Sequence, residues 1–212
     1  YKLKYVDATP EAVRNALTRA NVFLDASMKV KLTREMIDQA SQLELVITAT
    51  TGADHIDQVA LEERGIPLLT LKGQTEILNK VTPAAEHSWL LLMACARRLR
   101  GAIAHVAEGK WDRTEFPGVM LRGATLGLIG CGRIGEWMGR YARAFEMNVM
   151  GYDPYLSYWP SHIDRCPMEE VLSQSDFVSI HVNYTDQTHG MIGKNEIARM
   201  KEGACLVNSA RG

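Results

Sequence analysis

The stretch Thr-Leu-Gly-Leu-Ile-Gly-Cys-Gly-Arg-Ile-Gly at residues 125–135 joins an apolar strand pattern to three closely spaced glycines. Gly130, Gly132 and Gly135 form the pattern Gly-x-Gly-x-x-Gly, and an amphipathic helix pattern follows it over residues 134–145. The next apolar stretch, residues 149–152, ends at Asp153, 18 residues after the third glycine. This order of strand, glycine turn, helix, strand and acid predicts a dinucleotide-binding βαβ unit.

Each member of the pattern has a physical role in such a unit. Gly130 makes the tight turn, Gly132 lets the backbone approach a pyrophosphate, and Gly135 lets the helix pack closely on the strand. Free N–H groups at the start of the helix face the phosphates. Asp153 binds the ribose hydroxyls and repels a 2′-phosphate, and the two residues after it carry no positive charge, so the pattern favours NAD over NADP. The alternative is a glycine turn with a surface aspartate.

Short apolar runs alternate with helical patterns along the whole chain, which predicts α/β architecture with two doubly wound parallel sheets. We expect a domain over residues 1–81 and a dinucleotide domain over residues 82–212. Thr82-Pro83 opens a helix that we expect to continue to about Glu108 and to lie between domains or at a subunit contact. The predicted strands are Leu3–Val6, Val22–Leu24, Leu45–Thr48, Pro67–Thr70, Thr125–Ile129, Val149–Tyr152, Phe177–His181 and Cys205–Asn208.

Composition excludes several classes of protein. Hydrophobic residues make up 46% of the 212, and 24 Lys and Arg face 25 Asp and Glu, which excludes a disordered chain and gives no basic patch for nucleic acid. The apolar run Trp89–Ala96 is too short to span a membrane. No metal-ligand spacing occurs. The four cysteines, Cys95, Cys131, Cys166 and Cys205, form no CxxC pair, and we interpret them as reduced thiols of a cytoplasmic protein.

Further motifs stand in a fixed order and together resemble those of the D-isomer-specific 2-hydroxyacid dehydrogenases. Besides the glycine pattern they are TGADHID at 51–57, ERGIP at 63–67, AEH at 85–87, GKW at 109–111, YDP at 152–154, SIHV at 179–182, MKEGA at 200–204 and NSARG at 208–212. The resemblance implies a flavodoxin-like substrate domain and a Rossmann domain with the active site in the cleft. It implies a homodimer and NAD-dependent conversion of a D-2-hydroxy acid to its 2-keto acid. The family also contains a transcriptional corepressor, so an NAD(H)-sensing interaction module is the alternative.

The resemblance also assigns site residues. Arg211 matches the catalytic arginine that holds the substrate carboxylate and carbonyl, and Ala210 and Arg211 lie beside the nicotinamide. Thr51 and the amides of Gly52 and Ala53 match the loop that meets the substrate carboxylate and the cofactor. The remaining cofactor contacts that it implies are Arg133, Ile134, Asp153 and Val182.

Three further positions are candidate contacts that the family's motifs do not clearly assign. His181 ends a predicted strand and is a candidate cofactor contact, or else a strand-end histidine. Asn183 stands where the family usually has proline and is a candidate cofactor contact. Lys80 stands where many members have asparagine and is a candidate substrate contact that would favour an extra anionic group such as a phosphate. The family's catalytic Glu and His lie beyond the match of Arg211-Gly212, and we therefore expect the sequence to be an internal fragment of a longer enzyme.

Overall fold

The computed structural model describes residues 2–210 and divides into two compact units, Tyr1–Leu78 and Asn79–Gly212, here called the N-terminal and C-terminal units. Both are built from parallel strands with flanking helices, so the predicted α/β class is confirmed. Within residues 2–210, none of the helices has the length and apolar character needed to cross a membrane.

The N-terminal unit has a parallel sheet in the order β1-β2-β3. Its strands are β1 Val22–Asp25, β2 Leu45–Thr48 and β3 Leu68–Leu69, and its helices are α1 Pro10–Leu17, α2 Arg34–Gln39, α3 Gln58–Glu63 and α4 Thr75–Leu78. Side-chain oxygens of Thr9, Thr33 and Asp57 accept hydrogen bonds from first-turn amides of α1, α2 and α3. These caps begin each helix at a fixed residue.

The predicted strand Leu3–Val6 is wrong. Residues 2–6 have no regular secondary structure, and Leu3 and Tyr5 are 77% and 89% exposed. The alternation of lysines with apolar residues in this segment is typical of a half-buried strand. A strand nevertheless needs a neighbour for its backbone hydrogen bonds, and none of the three strands of this sheet pairs with the segment.

The C-terminal unit has a five-stranded parallel sheet in the order β6-β5-β4-β7-β8. Its strands are β4 Thr125–Ile129, β5 Asn148–Tyr152, β6 Asp164–Arg165, β7 Phe177–Ile180 and β8 Cys205–Asn208. Its helices are α5 Pro83–Ala96, α6 Leu99–Ala107, α7 Arg133–Ala144, α8 Met168–Gln174 and α9 Lys194–Arg199, with a 3₁₀ turn at Arg113–Glu115. The strand order reverses between β4 and β7, which is where ligands bind in doubly wound sheets.

The single long helix expected from Thr82 to Glu108 is also wrong, because the chain breaks it into α5 and α6. Arg98 takes a left-handed conformation with φ of +49°. The carbonyl of Ala96 accepts a hydrogen bond from the amide of Val119 at 2.8 Å, so a loop distant in sequence satisfies the last carbonyl of α5. Apolar residues resume at Leu99 after Arg97 and Arg98, and this pattern does not reveal the contact.

The prediction that all four cysteines are reduced is contradicted as well. Cys95 of α5 and Cys205 of β8 form a disulfide with their Cα atoms 6.8 Å apart, whereas Cys131 and Cys166 are free. The pair is separated by 110 residues in sequence. The packing of α5 against β8 brings the two thiols together, and sequence spacing carries no sign of that packing.

Candidate cofactor and substrate site

The turn between β4 and α7 has the shape that its glycines predict. Gly130 has φ of +90°, and a Cβ at this position would stand 2.6 Å from the carbonyl oxygen of His181. A Cβ on Gly135 would collide with the carbonyl of Gly130, so this glycine lets α7 pack against the end of β4. A side chain at Gly135 would therefore push α7 away from β4, and one at Gly130 would clash with the backbone that follows β7.

Gly132 leaves the opposite side of the turn open. It is the N-cap residue of α7, no side chain caps the helix there, and a Cβ on it would meet no atom within 4 Å. The N-terminus of this 12-residue helix, with the positive end of its dipole, therefore adjoins open space at Gly132. Such a cradle fits a pyrophosphate, as found at the N-termini of nucleotide-binding helices.

Asp153 lies at the carboxyl end of β5 and is held in place by backbone amides. Its Oδ2 accepts a hydrogen bond from the amide of Cys131 at 3.0 Å, and its Oδ1 accepts one from the amide of Tyr155 at 3.0 Å. A carboxylate has about four lone-pair positions, so two acceptors remain for the hydroxyls of a ribose. Burial, with a smaller contribution from the Asp153 charge, raises the pKa of the Cys131 thiol to about 12 and keeps it protonated.

Arg133 and Ile134 form the first turn of α7, and both are half-buried. The guanidinium of Arg133 donates a hydrogen bond of 2.5 Å to the carbonyl oxygen of Val81. This contact brings the arginine to the segment that precedes α5, where Lys80 is exposed. The structure thus places Arg133 beside the phosphate cradle and Lys80 next to its hydrogen-bond acceptor.

The carboxyl end of β7 contributes His181, Val182 and Asn183. The amide of His181 donates to the carbonyl of Ile129 at 2.7 Å, and its Nε2 lies 2.8 Å from Oγ of Ser179. Burial lowers the pKa of His181 to about 4, so the imidazole is neutral at pH 7. Val182 and Asn183 line a cavity at the ends of β7 and β8.

That cavity also contains Asn208 and Ala210 from the end of β8. The side chain of Asn208 accepts a hydrogen bond from the amide of Ala210 at 3.1 Å, and Oγ of Ser209 lies 2.6 Å from Oγ of Ser88 on α5. The asparagine side chain thus holds the turn that follows β8. Arg211, the predicted catalytic residue, lies outside the described residues.

In the N-terminal unit, the predicted substrate loop follows β2. Thr51 is exposed, Gly52 is half-buried, and Ala53 is buried. The hydroxyl of Thr50 donates a 2.6 Å hydrogen bond to the carbonyl of Gly52, which orients the loop. Within residues 2–210, the amides of Thr51, Gly52 and Ala53 donate to no other protein group, so all three remain available to an anion.

One charged residue of the nucleotide cleft was not predicted from the sequence. Arg165 lines a cleft together with Tyr152, Asp153, Pro154 and Cys166. The two residues after Asp153 carry no positive charge, as the sequence shows, but the structure adds a cation from a different strand. Arg165 belongs to the two-residue strand β6, which has no apolar pattern that could have predicted its pairing with β5.

Comparison with known proteins places this geometry in a family. Residues 89–212 match the model of the D-isomer specific 2-hydroxyacid dehydrogenase NAD-binding domain. A D-3-phosphoglycerate dehydrogenase of Methanocaldococcus jannaschii is 37% identical over 96% of this chain and 38% of its own length. The chain thus spans a little over a third of that relative.

Two solved structures share the fold. NAD-dependent formate dehydrogenase from Staphylococcus aureus in complex with NAD has a TM-score of 0.84 at 28% identity, over 98% of this chain and 62% of that one. D-lactate dehydrogenase from Aquifex aeolicus, complexed with NAD and lactic acid, has a TM-score of 0.78 at 31% identity, over 94% and 59%. The chain therefore belongs to the D-isomer specific 2-hydroxyacid dehydrogenase family, and its cofactor is NAD.

Proposed function

We propose that the protein interconverts a D-2-hydroxy acid and its 2-keto acid. The observation that carries this proposal is the complete dinucleotide cradle, in which the glycine turn, the uncapped N-terminus of α7 and the amide-anchored Asp153 converge at the switch point of the sheet. NAD supplies the hydride acceptor or donor for this chemistry. No observation favours the corepressor alternative.

Residues of the C-terminal unit bind the different parts of the cofactor. The amides at the start of α7 and the side chain of Arg133 hold the pyrophosphate, and Asp153 holds the ribose. His181 stays neutral, so together with Val182, Asn183 and Ala210 it shapes the cofactor pocket without adding charge. This assignment keeps positive charge at the phosphates and at the substrate.

Arg211 is proposed to anchor the substrate. A guanidinium binds a carboxylate with two parallel hydrogen bonds and polarises the neighbouring carbonyl, which stabilises negative charge that develops on the oxygen. Thr51 and the amides of Gly52 and Ala53 are proposed as substrate contacts because they match the substrate loop of the family. Lys80 is proposed as a further contact for substrates that carry a second anionic group.

Steady-state kinetics of the intact protein tests this function. We expect NADH oxidation with one or more of glyoxylate, hydroxypyruvate and phosphohydroxypyruvate. Arg211→Ala should lower kcat/KM by about 10²–10³-fold, while NADH affinity changes little. Arg211→Lys should also lose activity, because lysine keeps the charge but not the planar fork. Arg199→Ala, on exposed α9, is the matched control. Near-wild-type kcat/KM in Arg211→Ala would contradict the mechanism.

We further propose that the protein is a homodimer in which α5 and α6 meet the second copy. Leu90 of α5 and Ile103 of α6 are both more than half exposed, as is Val106. Such a concentration of apolar side chains on adjacent helices is typical of an interaction surface. Sedimentation velocity should give a dimer for the wild type and for Ile197→Glu, an exposed position on α9, but a monomer for Ile103→Glu. A monomeric wild type would refute this.

A cytoplasmic location is proposed on the basis of the sequence. Disulfides are uncommon in the cytoplasm, so the Cys95–Cys205 bond argues against this location and makes the test informative. Cell fractionation with an antibody against the protein tests it directly. Recovery in a secreted or envelope fraction would contradict it.

A further inference from the structure

We propose that Arg165 is a second cofactor-specificity residue, a guanidinium positioned to pair with a 2′-phosphate, so that Asp153 alone restrains the protein to NAD. The inference rests on the nucleotide site described above. It concerns the balance of charge at the ribose end of that site, where one carboxylate and one guanidinium line the same cleft.

The register of the sheet brings the two residues to one cleft. β6 runs parallel to β5, with Arg165 opposite Gly151, and the amide of Cys166 donates to the carbonyl of Gly151 at 2.9 Å. Paired residues on neighbouring strands point to the same face, and so do residues two apart on one strand. Asp153 follows directly after β5, and it lines the same cleft as Arg165 at the carboxyl end of the sheet.

An aromatic ring holds the guanidinium there. Cζ of Arg165 lies 5.0 Å from the centre of the Trp159 ring, within the range of a cation–π contact. The indole of Trp159 is itself fixed, because its Nε1–H donates to the carbonyl of Ile163 at 2.6 Å. A planar guanidinium stacked in this way loses less conformational entropy when it binds an anion than a free one would.

The charge of Arg165 is uncompensated. Among residues 2–210 no carboxylate lies within ion-pair distance of it, although its neighbour Asp164 pairs with Arg143 at 3.4 Å. The carboxylate of Asp153 is turned towards the amides of Cys131 and Tyr155. Within the described part of the chain, the cleft therefore contains a cation with no carboxylate paired to it, and such a cation suits a phosphate monoester.

Asp153 explains why the cofactor is nonetheless NAD. Its remaining lone pairs accept hydrogen bonds from ribose hydroxyls, whereas a 2′-phosphate has only acceptors at this position and carries like charge. Arg165 reduces that repulsion without abolishing it. Removing the carboxylate should therefore leave a site that already has its phosphate-binding cation.

Equilibrium titration of NADH and NADPH, followed by nucleotide fluorescence and calorimetry, tests the proposal. Arg165→Gln should weaken NADPH binding about tenfold and leave NADH within about twofold, since it removes one charge-assisted interaction. Asp153→Ala should strengthen NADPH and weaken NADH. In Asp153→Ala/Arg165→Gln that gain of NADPH affinity should be lost. Adenosine 2′,5′-bisphosphate and adenosine 5′-monophosphate should reproduce the difference, because they contain only the affected end of the cofactor.

Arg140→Gln is the matched control, because Arg140 also stacks on a tryptophan, at 4.8 Å from the Trp137 ring, but pairs with Glu136 on α7. It should leave both affinities unchanged. Unaltered NADPH binding in Arg165→Gln, in either background, would overturn the proposal, and so would equal weakening of both nucleotides. A wild type that binds neither nucleotide would instead refute the cofactor site itself.

Discussion

The two sheets of this protein bury their strands to different degrees. In the C-terminal unit, all four residues of β7 are buried, and only the first of the five residues of β4 is not. In the N-terminal unit, β1 has only one buried residue, and Leu24 is 61% exposed. A strand that is covered on both faces needs a continuous run of apolar residues. A strand that is covered on one face needs apolar residues only at alternate positions. The same fold class therefore places very different demands on its sequence in the two units.

Core truncation should reveal the largest difference between the units. Leu128→Ala in the middle of β4 removes a fully buried side chain and should lower the free energy of unfolding by about 3–4 kcal/mol. All four tryptophans lie between residues 79 and 212, so tryptophan fluorescence during urea unfolding reports on the C-terminal unit. Leu24→Ala in β1 is the matched control, followed by circular dichroism because residues 1–78 contain no tryptophan, and it should cost less than about 0.5 kcal/mol. Equal losses would show that burial does not separate the two sheets.

The disulfide should add a second difference, since both of its cysteines belong to the C-terminal unit. Reduction, or Cys205→Ser, should destabilise that unit by about 2–4 kcal/mol, measured as a lower Tm of the tryptophan signal. Cys166→Ser should have no comparable effect, because Cys166 is free. Thiol titration of the denatured, unreduced protein should count two thiols, and four after reduction. Four thiols before reduction would show that the bond does not form.

Acid should weaken the N-terminal unit through Asp25. Burial raises the pKa of this carboxyl, but hydrogen bonds from the amides of Ser27 and Met28 and from the side chains of Ser27 and His55 outweigh it and hold the pKa below its ordinary value. Oδ2 of Asp25 lies 2.7 Å from Nε2 of the buried His55. A depressed folded-state pKa stabilises the protein above the unfolded value, near 3.9, and this stabilisation is lost as pH falls through the folded value.

Amide hydrogen exchange of β1 and β2 between pH 6 and pH 3 measures this loss. Asp25→Asn should cost about 2 kcal/mol at pH 6 and make the exchange less dependent on pH. Asp38→Asn, at an exposed position on α2, should leave the pH dependence as in the wild type. An unchanged pH profile in Asp25→Asn would contradict the assignment.

The smallest effect is expected at a helix cap of the N-terminal unit. Oδ1 of Asp57 accepts a hydrogen bond from the amide of Ala60 at 2.9 Å, so Asp57→Ala should lower the free energy of unfolding by about 1 kcal/mol. Asp57→Asn retains a side-chain acceptor and should cost only a few tenths of that. Urea unfolding followed by circular dichroism distinguishes the two variants. A full loss in Asp57→Asn would mean that the charge, not the hydrogen bond, stabilises α3.

Prediction from sequence succeeded where the signal is local. The bounds of β2, β4 and β8 match the structure, because each depends on a short apolar run. It failed for Leu3–Val6 and for the helix through Arg98. The segment Leu3–Val6 has no neighbouring strand for its backbone hydrogen bonds. The helix ends early because the carbonyl of Ala96 accepts a hydrogen bond from the amide of the distant Val119.

The sequence by itself determined the nucleotide cradle. Gly130, Gly132 and Gly135 are required by backbone conformation and close approach within a few residues, and Asp153 follows at the end of the next strand. Only the tertiary structure decided that Arg165 lines the same cleft as Asp153, that Cys95 meets Cys205, and that Ser179 lies beside the ring of His181. The first two pairings depend on which strands and helices become neighbours, and the third on how the His181 ring turns after β7 ends. All three contacts depend on packing, and the spacing of the residues in the sequence does not predict them.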